Sequence, residues 1–147
     1  MAQGLLQQRL KELESQLQDP VDVESAGIFA IDGMSPSRET VKLLLQEGVD
    51  LSGHMARSVS DQMIREADLV LVMELFHQEE ILRRVPDAKG KVFLLKTCGQ
   101  ANPVPPDDPG IPDPIGKPAE VYEVCFATIK EAIARVANQL VSTQKGP

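Results

Sequence analysis

The chain has 147 residues, 42% of them hydrophobic, enough for one domain with its own core over residues 1–147 and too few for two. Its formal charge of −7 and pI near 4.8 exclude a nucleic-acid or anionic-membrane surface as the main partner, because phosphates are repelled over most approaches. With no Trp, one Tyr and four Phe the core must be aliphatic, and two cysteines without metal-ligand spacing fit neither a disulfide scaffold nor a zinc site.

The N-terminus lacks the charged start and apolar run of a signal peptide, and no apolar segment approaches the roughly 20 residues that span a bilayer. No membrane role is expected, and the cysteine usage points to the cytosol. Leu6, Leu10, Leu13 and Leu17 share one stripe, which predicts a helix from Ala2 to Gln18 closed by Asp19-Pro20. That helix has no N-cap residue and no preceding strand to position it, although its stripe calls for a sheet to lie on.

Val21, Val23 and Ser25-Ala26-Gly27 read as a short strand entering a tight loop, where Gly27 permits close backbone approach. Ser35 or Ser37 then caps a helix carrying Val41, Leu44 and Leu45, with Pro36 suited to its first turn and Gly48 to its stop. A polar connector, Ser52 to Arg57, leads to a short helical turn capped at Ser60-Asp61. Asp68-Leu69-Val70-Leu71-Val72-Met73 is a near-continuous apolar run, the pattern of a parallel strand covered on both faces.

His77, Ile81 and Val85 share a helix face ending at Pro86, and Lys91 to Lys96 supplies a second buried strand. This alternation of strand and helix makes the chain α/β. A Pro-dense run from Asn102 to Pro118 follows. Then Val121, Cys125, Ile129, Ala132, Ile133, Val136 and Leu140 form a long stripe on a helix from about Pro118 to Val141, after which polar residues are expected to fray.

Within the Pro-dense run, Asp113 stands between Pro112 and Pro114, whose rings fix φ near about −65°. Such a carboxylate is aimed, and aimed carboxylates move protons; the competing reading is a Pro-capped loop whose aspartate merely starts a helix. Cys98 follows a strand at the edge where α/β folds bind ligands, but Lys96 is the one cation near it in sequence, so an incidental thiol is the preferred reading. Cys125 belongs to the apolar stripe. His54 and His77 lie in different elements and imply no metal site, and Arg57 is either an anion contact or a solvated loop residue. No cofactor is implied, since the chain has neither a Gly-rich phosphate loop nor a Ser-His-Asp set.

The succession MAQGLLQQRL, VESAGIFA, GVDLSGHMAR, EADLVLVM, GKVFLLK and IPDPIG, followed by EVYEVCFATIKEAI, resembles the low-molecular-weight protein tyrosine phosphatases. That family also contains bacterial protein arginine phosphatases and thioredoxin-linked arsenate reductases. The resemblance runs through essentially the whole chain and implies a three-layer sandwich, a parallel sheet flanked by helices. It also implies hydrolysis of protein phosphotyrosine or phosphoarginine through a phosphocysteine. In the family a Cys-(X)5-Arg loop between the first strand and first helix holds the phosphate, and a DP-motif aspartate protonates the leaving group.

By that resemblance Asp113 is the general acid and later the base for water, and Ser25 and Pro114 support the phosphate loop and the acid. Substrates would be a phosphorylated protein or a small aryl phosphate. Met1 to Leu6 matches the helix that directly follows the phosphate loop, so the nucleophile and its arginine are expected to be missing, and the chain as given is expected to be inactive. Neither Cys98 nor Cys125 has Arg six positions on; those places hold Val104 and Glu131. The first strand, interior to the family's sheet between the Val21–Ser25 and Asp68–Met73 strands, is expected to be missing too. Such a chain is expected to fold poorly alone, close its sheet differently, self-associate or accept a strand from a partner.

Two departures bear on substrate. Ile115 stands where the family usually has an aromatic residue, and Ile28 where tyrosine phosphatases commonly have Thr, which leans toward the arginine phosphatases. Arsenate reductase ranks last, because Cys98 and Cys125 are too distant in sequence for a resolving pair. A catalytically silent binding or regulatory module of the same fold is the second reading.

Overall fold

The computed structural model describes residues 1–101 and 109–144. Most of the Pro-dense run before Gly110 and the last polar residues therefore lie outside the described residues. Helix α1 spans Ala2–Glu12 and buries Leu5, Leu6 and Leu10. It is shorter than its stripe predicts. The Leu13 amide is shared between the Arg9 and Leu10 carbonyls, and the backbone tightens there into a 3-10 turn at Glu14–Gln16.

The expected strand at Val21–Ser25 is not formed as a ladder. The backbone there is irregular by hydrogen bonding, and the Val23 carbonyl instead accepts the side-chain amides of Gln3 and Gln7, each at 3.2 Å. The nearest pairing is an isolated parallel bridge between Gly27 and Ser58, two residues beyond the end of the expected strand. A strand needs a neighbour, and apolar spacing in this segment carries no information about whether one is present.

Helix α2 (Arg38–Gln46) is capped by Ser37, whose hydroxyl accepts the Thr40 amide at 3.2 Å. Pro36 thus precedes the cap instead of occupying the first turn. Gly48, at φ 75, ends the helix in a Schellman arrangement: Gly48 N–H donates to Leu45 and Val49 N–H to Leu44. Ser60 caps α3 (Asp61–Glu66) by accepting the Met63 amide at 3.1 Å.

Strand β1 (Val70–Val72) pairs in parallel with β2 (Val92–Leu94), in the register Val70 to Val92 and Val72 to Leu94. Helix α4 (Leu75–Arg84) and a 3-10 turn at Pro86–Gly90 form the crossover between them. Alternation then divides the core. Val72, Val92 and Leu94 face Ile64 of α3 and Ile81 of α4, while Leu71 and Leu95 face Leu5, Leu10, Leu44, Ile129 and Val136 on α1, α2 and α5 (Ala119–Gln144). These are three layers, helices on both faces of a parallel sheet. Phe93 is 44% exposed, against the expectation of full burial, because β2 lies at the sheet margin.

The last helix follows its stripe with one rotation. Tyr122, Phe126 and Ala137 are buried, whereas Val121 is exposed and Leu140 is half-buried. The helix also continues three residues beyond Val141 to Gln144, whose side chain accepts the Gln18 amide at 2.9 Å and so ties the C-terminal end to the α1 connection.

Candidate active site

The acid is held by its own turn. Asp113 Oδ1 accepts the Ile115 amide at 2.9 Å, Lys117 N–H donates to the Pro114 carbonyl at 2.9 Å, and Gly116 takes φ 72 to complete the reversal. The turn is anchored at its start. Ile111 is 3% exposed and donates its amide to the Met73 carbonyl at 2.8 Å, so the loop is docked on the C-terminal end of β1. Gly110 allows that docking, since a Cβ there would sit 3.1 Å from the Met73 carbonyl oxygen. Asp113 itself is exposed, at the edge of a parallel sheet where open α/β folds place ligands.

The N-terminus of α1 adjoins this turn through Cys125. The Cys125 thiol contacts the Pro112 carbonyl at 3.8 Å and is pushed up by burial first, then by the Asp113 carboxylate; the Met1 ammonium works the other way. Burial in turn lowers the Met1 amine, with Cys125 opposing. Among the described residues no side chain caps α1 at its N-terminus.

Ser25 reaches the same helix end from the other side. Its hydroxyl donates to Gln3 Oε1 on the first turn of α1, and its carbonyl accepts Arg57 Nε at 2.9 Å. Arg57 also pairs with Glu24 at 3.1 Å, and its own carbonyl accepts the Gly27 amide at 2.9 Å. Arg57 is therefore a tether for the Ser25–Gly27 loop. Sequence reading missed both Gln3 and Arg57 in this role, since neither contact is local: Gln3 to Ser25 spans 22 residues and Arg57 to Ser25 spans 32.

The remaining candidates lie apart from this arrangement. Cys98 faces Gln139 at 3.9 Å in a cleft with Leu69, Phe93 and Leu140; burial pushes its thiol up, and Arg135 only partly offsets that. His77 accepts the Glu74 amide through Nδ1 at 3.2 Å and so helps begin α4, and His54 lies in a turn closed by its amide on the Leu51 carbonyl. Ile28 packs on the Ile64 cluster, and Ile115 is 68% exposed beside the acid. Among the described residues, no three His, Cys, Asp or Glu converge as metal ligands, and no helix is long and apolar enough to cross a membrane.

Residues 1–145 match the family model described as low molecular weight phosphotyrosine protein phosphatase. The protein-arginine-phosphatase of Geobacillus stearothermophilus is 33% identical over 90% of this chain and 85% of its own length. The low molecular weight protein-tyrosine-phosphatase Wzb of Escherichia coli is 29% identical over 97% of this chain and 87% of its own. The solved YwlE arginine phosphatase from Geobacillus stearothermophilus superposes with a TM-score of 0.81 at 31% identity, covering 98% of this chain and 85% of that one. With an acid-bearing Asp-Pro turn at the end of a parallel strand, and with these matches through nearly its whole length, the chain belongs to the low molecular weight phosphotyrosine protein phosphatase family.

Proposed function

We propose that Asp113 is the general acid and base of a phosphomonoester hydrolase site built at the N-terminus of α1. The observation that carries this is the docking of its turn on the end of β1, beside a helix start that no side chain caps among the described residues. First-turn amides and the positive end of the helix dipole suit the equatorial oxygens of a phosphoryl group. In the reaction a thiolate attacks phosphorus, Asp113 gives its proton to the departing oxygen or guanidino nitrogen, and the resulting carboxylate then takes a proton from the water that cleaves the phosphocysteine. Ser25 holds the neighbouring loop to Gln3, and Pro114 fixes the backbone that aims the acid.

The thiolate is the part that this chain does not supply. Cys98 and Cys125 are both held toward their protonated forms by burial, and neither is followed by Arg at the sixth position. The 147-residue chain is therefore expected to hydrolyse para-nitrophenyl phosphate no faster than buffer near pH 5.5. Turnover abolished by Asp113→Ala would overturn that expectation and show that one of the two thiols is a nucleophile.

The role of Asp113 is tested separately, by fusing ahead of Met1 a strand and a Cys-(X)5-Arg loop taken from a relative. The fusion should turn over phosphotyrosine or phosphoarginine peptides, and Asp113→Asn should lower kcat by about 100-fold or more, the usual range for a general acid. An unchanged kcat would remove Asp113 from the mechanism. A phosphorylated protein is the substrate class, and the relative rates on the two peptides decide between a tyrosine and an arginine phosphatase. Ile115, apolar but not aromatic, offers no stacking wall for a phenyl ring and supports the second.

The thiol chemistry also supports a second reading, a catalytically silent module that binds phosphorylated proteins. It predicts saturable binding of a phosphopeptide to the 147-residue chain with no turnover in the fusion.

A further inference from the structure

His77 lies apart from the acid and is joined to it through one peptide group. The Met73 carbonyl accepts the Ile111 amide at 2.8 Å, and the Glu74 amide donates to His77 Nδ1 at 3.2 Å. That carbonyl and that amide belong to the same Met73–Glu74 peptide unit, which is planar and trans. They point in opposite directions from one rigid plane, with the imidazole at one edge and the acid turn at the other. Held at both edges, the plane cannot rotate without breaking one of the two bonds, and hydrogen bonds in series through one amide also strengthen each other.

The acceptor itself has a fixed place. The half-buried His77 ring lies against Phe76, with centroids 4.0 Å apart at 39°, and the Glu74 carboxylate accepts the His77 amide in return. On the turn's side there is equally little slack. A Cβ on Gly110 would sit 3.1 Å from the Met73 oxygen and 3.4 Å from Glu74 Cα. Ile111 is 3% exposed, and from it to Asp113 the chain runs through Pro112, with Pro114 beyond, so few soft torsions remain to absorb a shift of the plane.

We propose that His77 is a positioning residue for the general acid: by accepting the Glu74 amide it fixes the Met73 carbonyl, and through that carbonyl the turn that carries Asp113. The inference rests on the reading of Asp113 as the acid. A misplacement of about 1 Å costs on the order of 100-fold where a proton must pass along a hydrogen bond. The loss falls on leaving groups that need the proton. Phenolate is such a group, whereas 2,4-dinitrophenolate is a weak base and departs without one.

In the 147-residue protein, hydrogen exchange at the Ile111 amide should quicken roughly tenfold or more in His77→Leu and stay near the parent rate in His77→Asn, whose Oδ1 replaces Nδ1 as acceptor. Leucine is the better helix former, so melting of α4 is not the expected cause. In the fusion that carries a relative's strand and Cys-(X)5-Arg loop, His77→Leu should lower kcat/KM for phenyl phosphate about tenfold or more and leave 2,4-dinitrophenyl phosphate within about twofold, with His77→Asn close to the parent on both. Gly110→Ala displaces the same carbonyl from the turn's side and should show the same selective loss, an independent variant if His77→Leu does not fold. Equal slowing of both substrates marks general loosening and overturns the proposal. Ile111 exchange that ignores His77→Leu sinks the positioning role alone. If Asp113→Asn leaves the preference between the two substrates unchanged, the reading of Asp113 fails and the positioning role falls with it.

Discussion

At the scale of residues, the turn that carries Asp113 was legible because everything that shapes it is local: two prolines, a glycine at φ 72, and an amide two residues on. The contacts that place Ser25 were not, since Gln3 and Arg57 come from other elements and Gln or Arg at those positions reads as solvated surface. Cys98 reads in sequence as an incidental thiol and Cys125 as part of the apolar stripe, and in the structure burial with too little compensating positive charge pushes both thiols up. Because both thiols are raised above their ordinary value, the thiolate fraction at pH 7 is smaller than that of a free cysteine and grows only as pH rises past the usual thiol range. Iodoacetamide should therefore modify the native protein at pH 7 more slowly than it does glutathione, and Cys98 before Cys125, which is 8% exposed. Mass spectrometry of partly alkylated protein checks the order; prompt labelling of Cys125 would mean that α5 opens at its N-terminal end.

At the scale of elements, caps and stops were the most legible signals, because a serine, a glycine or a proline acts on its own backbone. Ser37 and Gly48 bound α2 as their chemistry dictates, and Ser37→Ala should cost about 1 kcal/mol, the usual loss for an N-cap hydroxyl. The strand at Val21–Ser25 was misread for the opposite reason, since a ladder depends on a neighbour that the segment's own residues do not specify. Close helix packing was equally invisible. Gly4 lies inside α1, where alanine is favoured by about 1 kcal/mol on propensity, yet a Cβ there would meet Val49 Cγ1 at 2.8 Å. Valine is stiff at χ1 and cannot swing that methyl aside cheaply, so overpacking of roughly 1–3 kcal/mol opposes the propensity gain. Gly4→Ala should therefore lower the urea midpoint instead of raising it, and a raised midpoint would show that the loop at Val49 yields.

At the scale of the molecule, the α/β class and the three-layer order followed from alternating periodicities, and the superposition on a solved relative agrees with both. The division of the core into two clusters followed from strand alternation, but the sequence does not say whether the two behave as one unit. The structure gives a physical reason to expect one unit, because both clusters share the same short stretches of chain: Leu71 and Leu95 serve one face, Val72, Val92 and Leu94 the other. Loosening either cluster removes the surface that holds β1 against β2 and thereby exposes the other. Leu44 is fully buried in the first and Ile64 is 2% exposed in the second, so truncating each to alanine should cost about 2–5 kcal/mol of a total of roughly 5–15 kcal/mol. If the core is one cooperative unit, Leu44→Ala and Ile64→Ala each shift a single calorimetric transition downward, by on the order of 10 °C, and the double variant has no folded baseline. Two separated transitions in either variant would instead mean that β1 and β2 transmit too little between the layers, and that the helices on one face melt while those on the other persist.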